Sequence, residues 1–361
     1  MKKLLASLFM LALAPTIAAQ DLQVDTVADG LENPWSLAFL PDGRMLVTER
    51  AGRLRIIENG TLLPEAVSGV PSVYANSQGG LFEVLPAPDF ADSGMLYLSL
   101  ASGTADANSL LVVRGRLQDT TLTDVEEIFR AQPLRATPVH YGARMLWLPD
   151  GTLLVGYGDG FDYREDAQRL SSHTGSVFRL NADGSAPVNN PFQGQSGASP
   201  EIFTYGHRNV QGIAYDPTLD RIWQHEHGPR GGDELNILTP GTNYGWPIVA
   251  HAVNYSGARV TPFSELPGIR NPVHIWQSAI APGGLAVYRG ELFSDWNGNV
   301  LVAGLGSRAI HRLVIEDEQV VSEQRLLQSL DQRMRDVRVG PDGAIYVLTD
   351  HSSGSVLRIT P

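Results

Sequence analysis

"LAFLPDGRMLVTERAGRLRII", residues 37–57, sets short apolar runs on either side of a Pro-Asp-Gly turn and then a second, glycine-containing loop. It reads as strand, tight turn, strand, short loop, strand, with the Asp-Gly pair supplying the positive backbone angles that a tight hairpin demands. The layout returns in "MLWLPDGTLLVGYGDG" (145–160) and in "VRVGPDGAIYVLTDHSSGSVLRI" (337–359). Weaker copies fill the intervals: "FEVLPAPDFADSGMLYLSLA" (82–101), "IAYDPTLDRIWQHEHG" (213–228) and "LAVYRGELFSDWNGNVLVAG" (285–304). Six units beyond residue 19 allow about 57 residues each, enough for four strands and their loops, the size of one propeller blade. The sequence therefore predicts an all-β protein, a six-bladed β-propeller over residues 20–361. A pair of β-sandwiches would also show many short strands, but sandwiches do not usually repeat one hairpin signature from end to end. Closure is expected to join the strand near Leu22 to the blade ending at Pro361, so that no sheet edge stays open. The irregular insertions at 187–200 and 251–272 are expected at the mouth of the central channel, where propellers usually bind ligands.

Ahead of the repeats, "MKKLLASLFMLALAPTIAAQ" has two lysines, an apolar run and small residues at Ala18-Ala19, the three-part layout of a secretory signal occupying residues 1–19. The apolar run is shorter than the roughly 20 residues of a membrane span, so export to the periplasm or medium is the expectation. Lys2 and Lys3 are the only lysines, and their removal takes the net charge from −12 to −14. Such a surface repels polyanions, which argues against a nucleic-acid partner. The 361 residues contain no cysteine, so an exported chain depends on its core, at 43% hydrophobic content, and on bound ions.

Among the motifs, "HEHGPRGGDELN" (225–236) is the densest in possible ligands. It lacks the Gly-Lys-Ser/Thr and the following helix of a phosphate loop, and Asp233 and Glu234 would repel phosphate. Asp233 and Glu234, with the carbonyls of Gly228 and Pro229, offer hard oxygen ligands that suit calcium. Zinc through His225 and His227 is the alternative, but no third nitrogen or sulfur ligand is near. Polar clusters end other strands: Gln78; His140 with Arg144; His207, Arg208 and Asn209; Arg333 and Arg335. A propeller gathers such positions around its axis, where several arginines imply an anionic ligand and a histidine can serve as general base. No Gly-x-Ser-x-Gly elbow is present for serine hydrolase chemistry.

"YGHRNVQG", "EHGPRGGDELN" and "NYGWP", with the flanking repeats, resemble the soluble aldose sugar dehydrogenases that use pyrroloquinoline quinone (PQQ), the glucose/sorbosone dehydrogenase family. The resemblance covers nearly the whole chain beyond the signal and implies a six-bladed propeller. It implies that His140 removes the hydroxyl proton from the sugar C1 while hydride passes to the C5 carbonyl of the quinone, with Arg208 stabilising the charge that develops there. It implies cofactor contacts from Gln78, Arg208 and Asn209, and carboxylate binding by Arg333 and Arg335. It implies a cofactor calcium on the carbonyls of Gly228 and Pro229, and a further calcium on Asp233 and Glu234 with the Tyr244 carbonyl close by. One position departs from the pattern: family members commonly carry a lysine in a Gly-Ser-Leu-Lys segment, whereas "VAGLGSRAIHRL" (302–313) has Gly306 there. Arg308, two residues on, is the expected substitute.

The expected function is thus an exported, calcium- and quinone-dependent dehydrogenase that oxidises the C1 hydroxyl of aldoses to lactones. Its partners would be a sugar substrate and an external electron acceptor, with no membrane span, as a monomer or homodimer. The alternative is a calcium-stabilised propeller without quinone that binds a sugar or a protein. A metal-dependent lactonase would need calcium exposed through carboxylates at the channel centre, and no such set is evident.

Overall fold

Each Pro-Asp-Gly stretch closes its hairpin by the same local chemistry. Gly43, Gly151 and Gly343 sit at φ of +90°, +80° and +76°, conformations that glycine adopts without a Cβ clash. In each turn the aspartate carboxylate accepts the backbone N–H two residues on: Arg44 to Asp42 at 3.0 Å, Thr152 to Asp150 at 3.0 Å, Ala344 to Asp342 at 3.2 Å. The turn is therefore written in three consecutive residues.

The computed structural model describes residues 22–361. It opens with β1 (Gln23–Leu31), followed by β2–β5 (Pro34–Phe39, Met45–Glu49, Arg53–Glu58, Thr61–Leu62) and β6–β9 (Leu81–Pro86, Met95–Gly103, Asn108–Gln118, Thr121–Arg130). Next come β10–β13 (Met145–Trp147, Leu153–Gly156, Ser176–Leu180, Ile202–Tyr205) and β14–β17 (Val210–Asp216, Arg221–Glu226, Asp233–Leu238, His274–Trp276). The last are β18–β21 (Pro282–Val287, Val300–Gly304, Ala309–Glu316, Gln319–Leu326) and β22–β24 (Met334–Val339, Ile345–Thr349, Gly354–Thr360). They form six four-stranded sheets in sequence order, the last one completed by β1 in the order β1-β24-β23-β22. The expected six-bladed propeller is what the chain adopts, and the closure is antiparallel with Val24 opposite Ile359. The signal-peptide reading of residues 1–19 lies outside the described residues, among which no helix is long and apolar enough to cross a membrane.

Apolar faces of neighbouring blades pack together, as where Phe82, Tyr141 and Phe178 share one cluster. The axis is filled differently. Arg144 reaches Glu83 at 2.7 Å and Asp336 at 3.3 Å, and Arg338 reaches Glu83 at 2.6 Å and Asp336 at 2.9 Å. Ser36 Oγ donates to Glu83 at 2.6 Å, and the Arg144 guanidinium lies 4.3 Å over Trp35. Four charges thus cancel pairwise, with Glu83, Arg144 and Asp336 buried and each costly alone. Arg144, grouped with His140 on sequence, belongs to this plug and not to a ligand cavity.

Antiparallel order sends the first and third connections of every blade to one end and the second and fourth to the other. The insertion 187–200 is the third connection of its blade, joining β12 to β13, so it lies at the Pro-Asp-Gly end. Arg179 ties it there, donating to Asn189 at 2.9 Å and pairing with Asp150 of the turn at 2.5 Å. This corrects its expected place at the ligand mouth. The insertion 251–272 leaves from the same end but climbs the blade, bridging Val253 to Arg230 in the β15–β16 connection at the opposite end. Replacing Arg144 by methionine leaves Glu83 and Asp336 undercompensated in the core; the expected loss is about 3–5 kcal/mol of unfolding free energy in urea titrations.

Candidate functional site

The second and fourth connections converge on one end, and His140 lies in the connection from β9 to β10. Its backbone is held in the left-handed region at φ +54°, a conformation that costs a non-glycine residue of order 1 kcal/mol. Two groups hold it there. Its N–H donates to Gln78 Oε1 at 2.9 Å, and its carbonyl accepts from Arg135 at 3.0 Å. Arg135 is sandwiched over Tyr141 at 4.7 Å and Tyr157 at 4.5 Å and also donates to the Gly158 carbonyl at 3.1 Å. Gly158 must be glycine, because a Cβ there would lie 2.2 Å from the His140 carbonyl oxygen.

The His140 ring is buried, and its Nδ1 lies 2.6 Å from Asp159 Oδ1. Asp159 is itself fixed by the Phe161 N–H at 2.8 Å and by the Trp246 indole N–H at 2.7 Å. A carboxylate accepting on all sides leaves Nδ1 as the protonated nitrogen and Nε2 as the free base. Nε2 makes no hydrogen bond among the described residues. Burial pushes the His140 pKa below its ordinary value; Asp159 opposes that shift, and Arg208 and Arg135 add to it. Burial would raise Asp159, but the hydrogen bond and charge of His140, with Arg208, bring it below the usual carboxylate range. His140 is therefore neutral at neutral pH, with an anion behind it.

Two cavities flank this pair. The larger, about 560 Å³, is bordered by Asp159, Phe161, Arg208, Pro229, Trp246 and the climbing insertion at Asn254 and Tyr255. The smaller, about 210 Å³, is lined by Gln78, Asn209, Arg333 and Arg335, with Arg50, Tyr141, Gly142 and Asp350. His140 lines neither cavity itself; its neighbours Gln78 and Tyr141 line the smaller, and its partner Asp159 the larger. Arg333 Nη2 and Arg335 Nη2 both meet Asp350 Oδ2 at 3.0 Å, and Arg335 Nε is buried without a partner. One carboxylate oxygen for two guanidiniums leaves the cavity cationic, suited to an anionic ligand. Burial lowers the Arg335 pKa, the adjacent Arg333 charge adds to this, and Asp350 opposes it. Arg308, the expected substitute at the departing position, is instead paired with Asp331 at 2.7 Å, half exposed, and not among the lining residues.

The segment 225–236 borders both cavities. His225 and His227 project toward β18, their Nε2 atoms 3.3 Å from the Gly284 carbonyl and 2.7 Å from the Pro282 carbonyl. Burial drives both to about 3, so they are neutral, and each is engaged with backbone, not with a third ligand. Arg208 donates to the carbonyls of His227 at 2.9 Å and Gly228 at 2.8 Å, and lies 5.4 Å from the Trp246 ring centre.

Asp233 and Glu234 do not act as the pair expected of them. They are consecutive on β16, so their side chains leave opposite faces. Asp233 accepts the N–H groups of Gly228, Ile280 and Ala281, all at 2.8 Å, and anchors two loops. Glu234 faces Glu226 directly across the β15–β16 pairing, and both line a small cavity with Gly228, Pro229, Tyr244 and Trp246. Burial and the charge of Glu226 push Glu234 well above the usual carboxylate range. Two facing carboxylates and nearby main-chain oxygens fit a hard cation. Tyr244 stacks on His207 at 4.7 Å, and His207 Nδ1 lies 3.2 Å from Glu226. Sequence reading did not single out Asp159, Trp246, Arg135, Arg50 or Glu226. The signal for Glu226 is the register of the β15–β16 hairpin, which sets it across from Glu234.

The chain and its fold have counterparts among known proteins. The pattern of the Glucose / Sorbosone dehydrogenase family matches residues 31–358. The chain is 39% identical to the aldose sugar dehydrogenase YliI of Escherichia coli (strain K12), over 99% of this chain and 98% of that protein. A crystal structure of a glucose dehydrogenase superposes with a TM-score of 0.91 at 44% identity, covering 93% of this chain and 99% of that one. The PQQ-bound form of an aldose sugar dehydrogenase from Streptomyces coelicolor superposes with a TM-score of 0.77 at 29% identity, covering 94% and 98%. With that family pattern spanning all six blades and a relative matched end to end, the chain belongs to the glucose/sorbosone dehydrogenase family of oxidoreductases.

Proposed function

We propose that this protein is an exported quinoprotein that oxidises the C1 hydroxyl of aldoses to lactones, with residues 1–19 as its leader and 20–361 as one catalytic propeller. The observation that carries the reading is the Asp159–His140 pair at 2.6 Å, with Asp159 lining a roomy cavity and the His140 neighbours Gln78 and Tyr141 lining a cationic one. A sugar in the larger cavity presents its C1 hydroxyl to His140 Nε2, which accepts the proton while Asp159 stabilises the imidazolium that forms. Phe161 and Trp246 hold Asp159 still, so the ring does not turn during transfer. In the smaller cavity Arg333 and Arg335 pair with ligand carboxylates, and Gln78 and Asn209 hydrogen-bond the ligand edge. Arg208 directs positive charge toward the junction of the two cavities. When bound there, PQQ with calcium on the Gly228 and Pro229 carbonyls supplies the electron sink for the hydride leaving C1. Glu226 and Glu234, beside Tyr244, would hold a further calcium. The second reading, a sugar- or protein-binding propeller without quinone, is favoured only by the glycine at 306.

Reconstitution separates the two readings: purified protein given calcium and PQQ is expected to reduce a dye with aldoses, and a lack of both turnover and quinone uptake would leave the binding module. His140→Ala is expected to lower kcat by about 10²-fold or more with quinone uptake retained, measured by dye reduction and by quinone absorbance. Because the His140 pKa is lowered, the base is lost only when pH falls below the ordinary histidine value; the acid limb of kcat/KM is expected under 6.5. Calcium is expected to raise Tm, worth about 2.7 kcal/mol at a concentration 100 times its Kd. Glu234→Gln should shrink that increment in calorimetry with and without chelator.

A further inference from the structure

The smaller cavity holds one cation that nothing so far has used. Among the described residues, Arg50, Arg230 and Arg259 are the arginines whose guanidinium makes neither a hydrogen bond nor an ion pair. Arg230 and Arg259 border an open surface cleft, whereas Arg50 lines the cavity of Gln78, Arg333 and Arg335. It stands in the β3–β4 connection, at the same end of the propeller as His140. Its main chain is fixed on both sides: the N–H donates to the Asn33 carbonyl at 3.2 Å, and the carbonyl accepts from Leu81 at 3.1 Å.

The neighbouring blade makes room for the Arg50 stem. A Cβ on Gly80 would come within 2.1 Å of the Arg50 carbonyl oxygen and 2.6 Å of its Cγ, so only glycine admits the arginine where it lies. With Arg50, the cavity holds three guanidiniums against the single carboxylate of Asp350. In a chain of net charge −12, two uncancelled positive charges facing one small space call for a ligand with more than one anionic group.

Building on the cofactor reading above, we infer that Arg50 binds a carboxylate of the anionic cofactor and supplies the cationic contact that Gly306 lacks. PQQ carries three carboxylates, and Arg333, Arg335 and Arg50 match them in number. Arg50 lines the cavity from the β3–β4 connection and Leu305, beside Gly306, from the β19–β20 connection, while Arg308 pairs with Asp331.

The test reads binding without turnover. Purified apoprotein is titrated with PQQ in excess calcium, and free quinone is measured by its absorbance after ultrafiltration. Arg50→Ala is expected to weaken binding by about 10-fold or more, the scale of one charge-assisted hydrogen bond, and Arg50→Lys to keep most of it. Arg308→Ala is expected to bind as the wild type does. Adding Gly306→Lys to Arg50→Ala is expected to recover affinity. A Cβ at residue 306 would meet the Ile280 carbonyl oxygen at 3.1 Å and Ala281 at 3.3 Å, a fit that needs only a small shift. Equal binding by Arg50→Ala and wild type overturns the inference. So does a loss that neither Arg50→Lys nor Gly306→Lys repairs, because that is the mark of a purely structural arginine. Wild-type protein that takes up no quinone overturns the cofactor reading, and this inference with it.

Discussion

Antiparallel order inside a four-stranded sheet allows its connections only two ends, and six such sheets around one axis make those ends two faces. Everything of chemical interest follows from that division. Short turns with a fixed Pro-Asp-Gly chemistry occupy one face in three of the blades, so the other is free to carry the connections that bear His140, Asp159, Arg208, Arg50 and Arg333. Closure of β1 on β24 keeps the ring from opening, and the charged plug of Glu83, Arg144, Asp336 and Arg338 fixes the inner strands against one another.

On the functional face, precision comes from contacts between blades. Gln78, His140, Asp159 and Trp246 form a chain from the connection before β6 to the one after β16. No member is set by its own loop alone. The left-handed backbone at His140 is tolerated because Gln78 and Arg135 grip both sides of it, and the strain is offset by hydrogen bonds that also fix the ring. Asp233 does similar work below, clamping the 228–233 turn to Ile280 and Ala281 so that Glu226 and Glu234 are left facing each other.

The repeat was legible because its signal is local: an Asp-Gly turn between alternating strands needs no knowledge of distant residues. Gln78, Asn209, Arg333 and Arg335 were legible as a group, since all lie where one blade hands over to the next. Asp159 lies inside the repeat at 145–160, yet its role depends on His140, nineteen positions away in sequence and reached only through the fold. Arg50 was invisible for the same reason, as its significance lies in having no partner. The misplacement of 187–200 came from length: a long loop was equated with a ligand loop, when parity of the strand connections decides the face. Asp233 and Glu234 were paired by adjacency, although consecutive residues on a strand point apart.

The axial plug has a consequence for traffic. A ring of blades suggests a tunnel, but Glu83, Arg144 and Asp336, buried with Ser36 and Trp35, and the part-exposed Arg338 occupy the middle of this one. The cavities bordered by Asp159 and by Arg333 both lie on the face that carries His140, so in the proposed reaction sugar and lactone come and go by the face that also holds the anionic ligand. Substrate exchange and cofactor retention are thus demands made on one surface, while the opposite face carries the Pro-Asp-Gly turns.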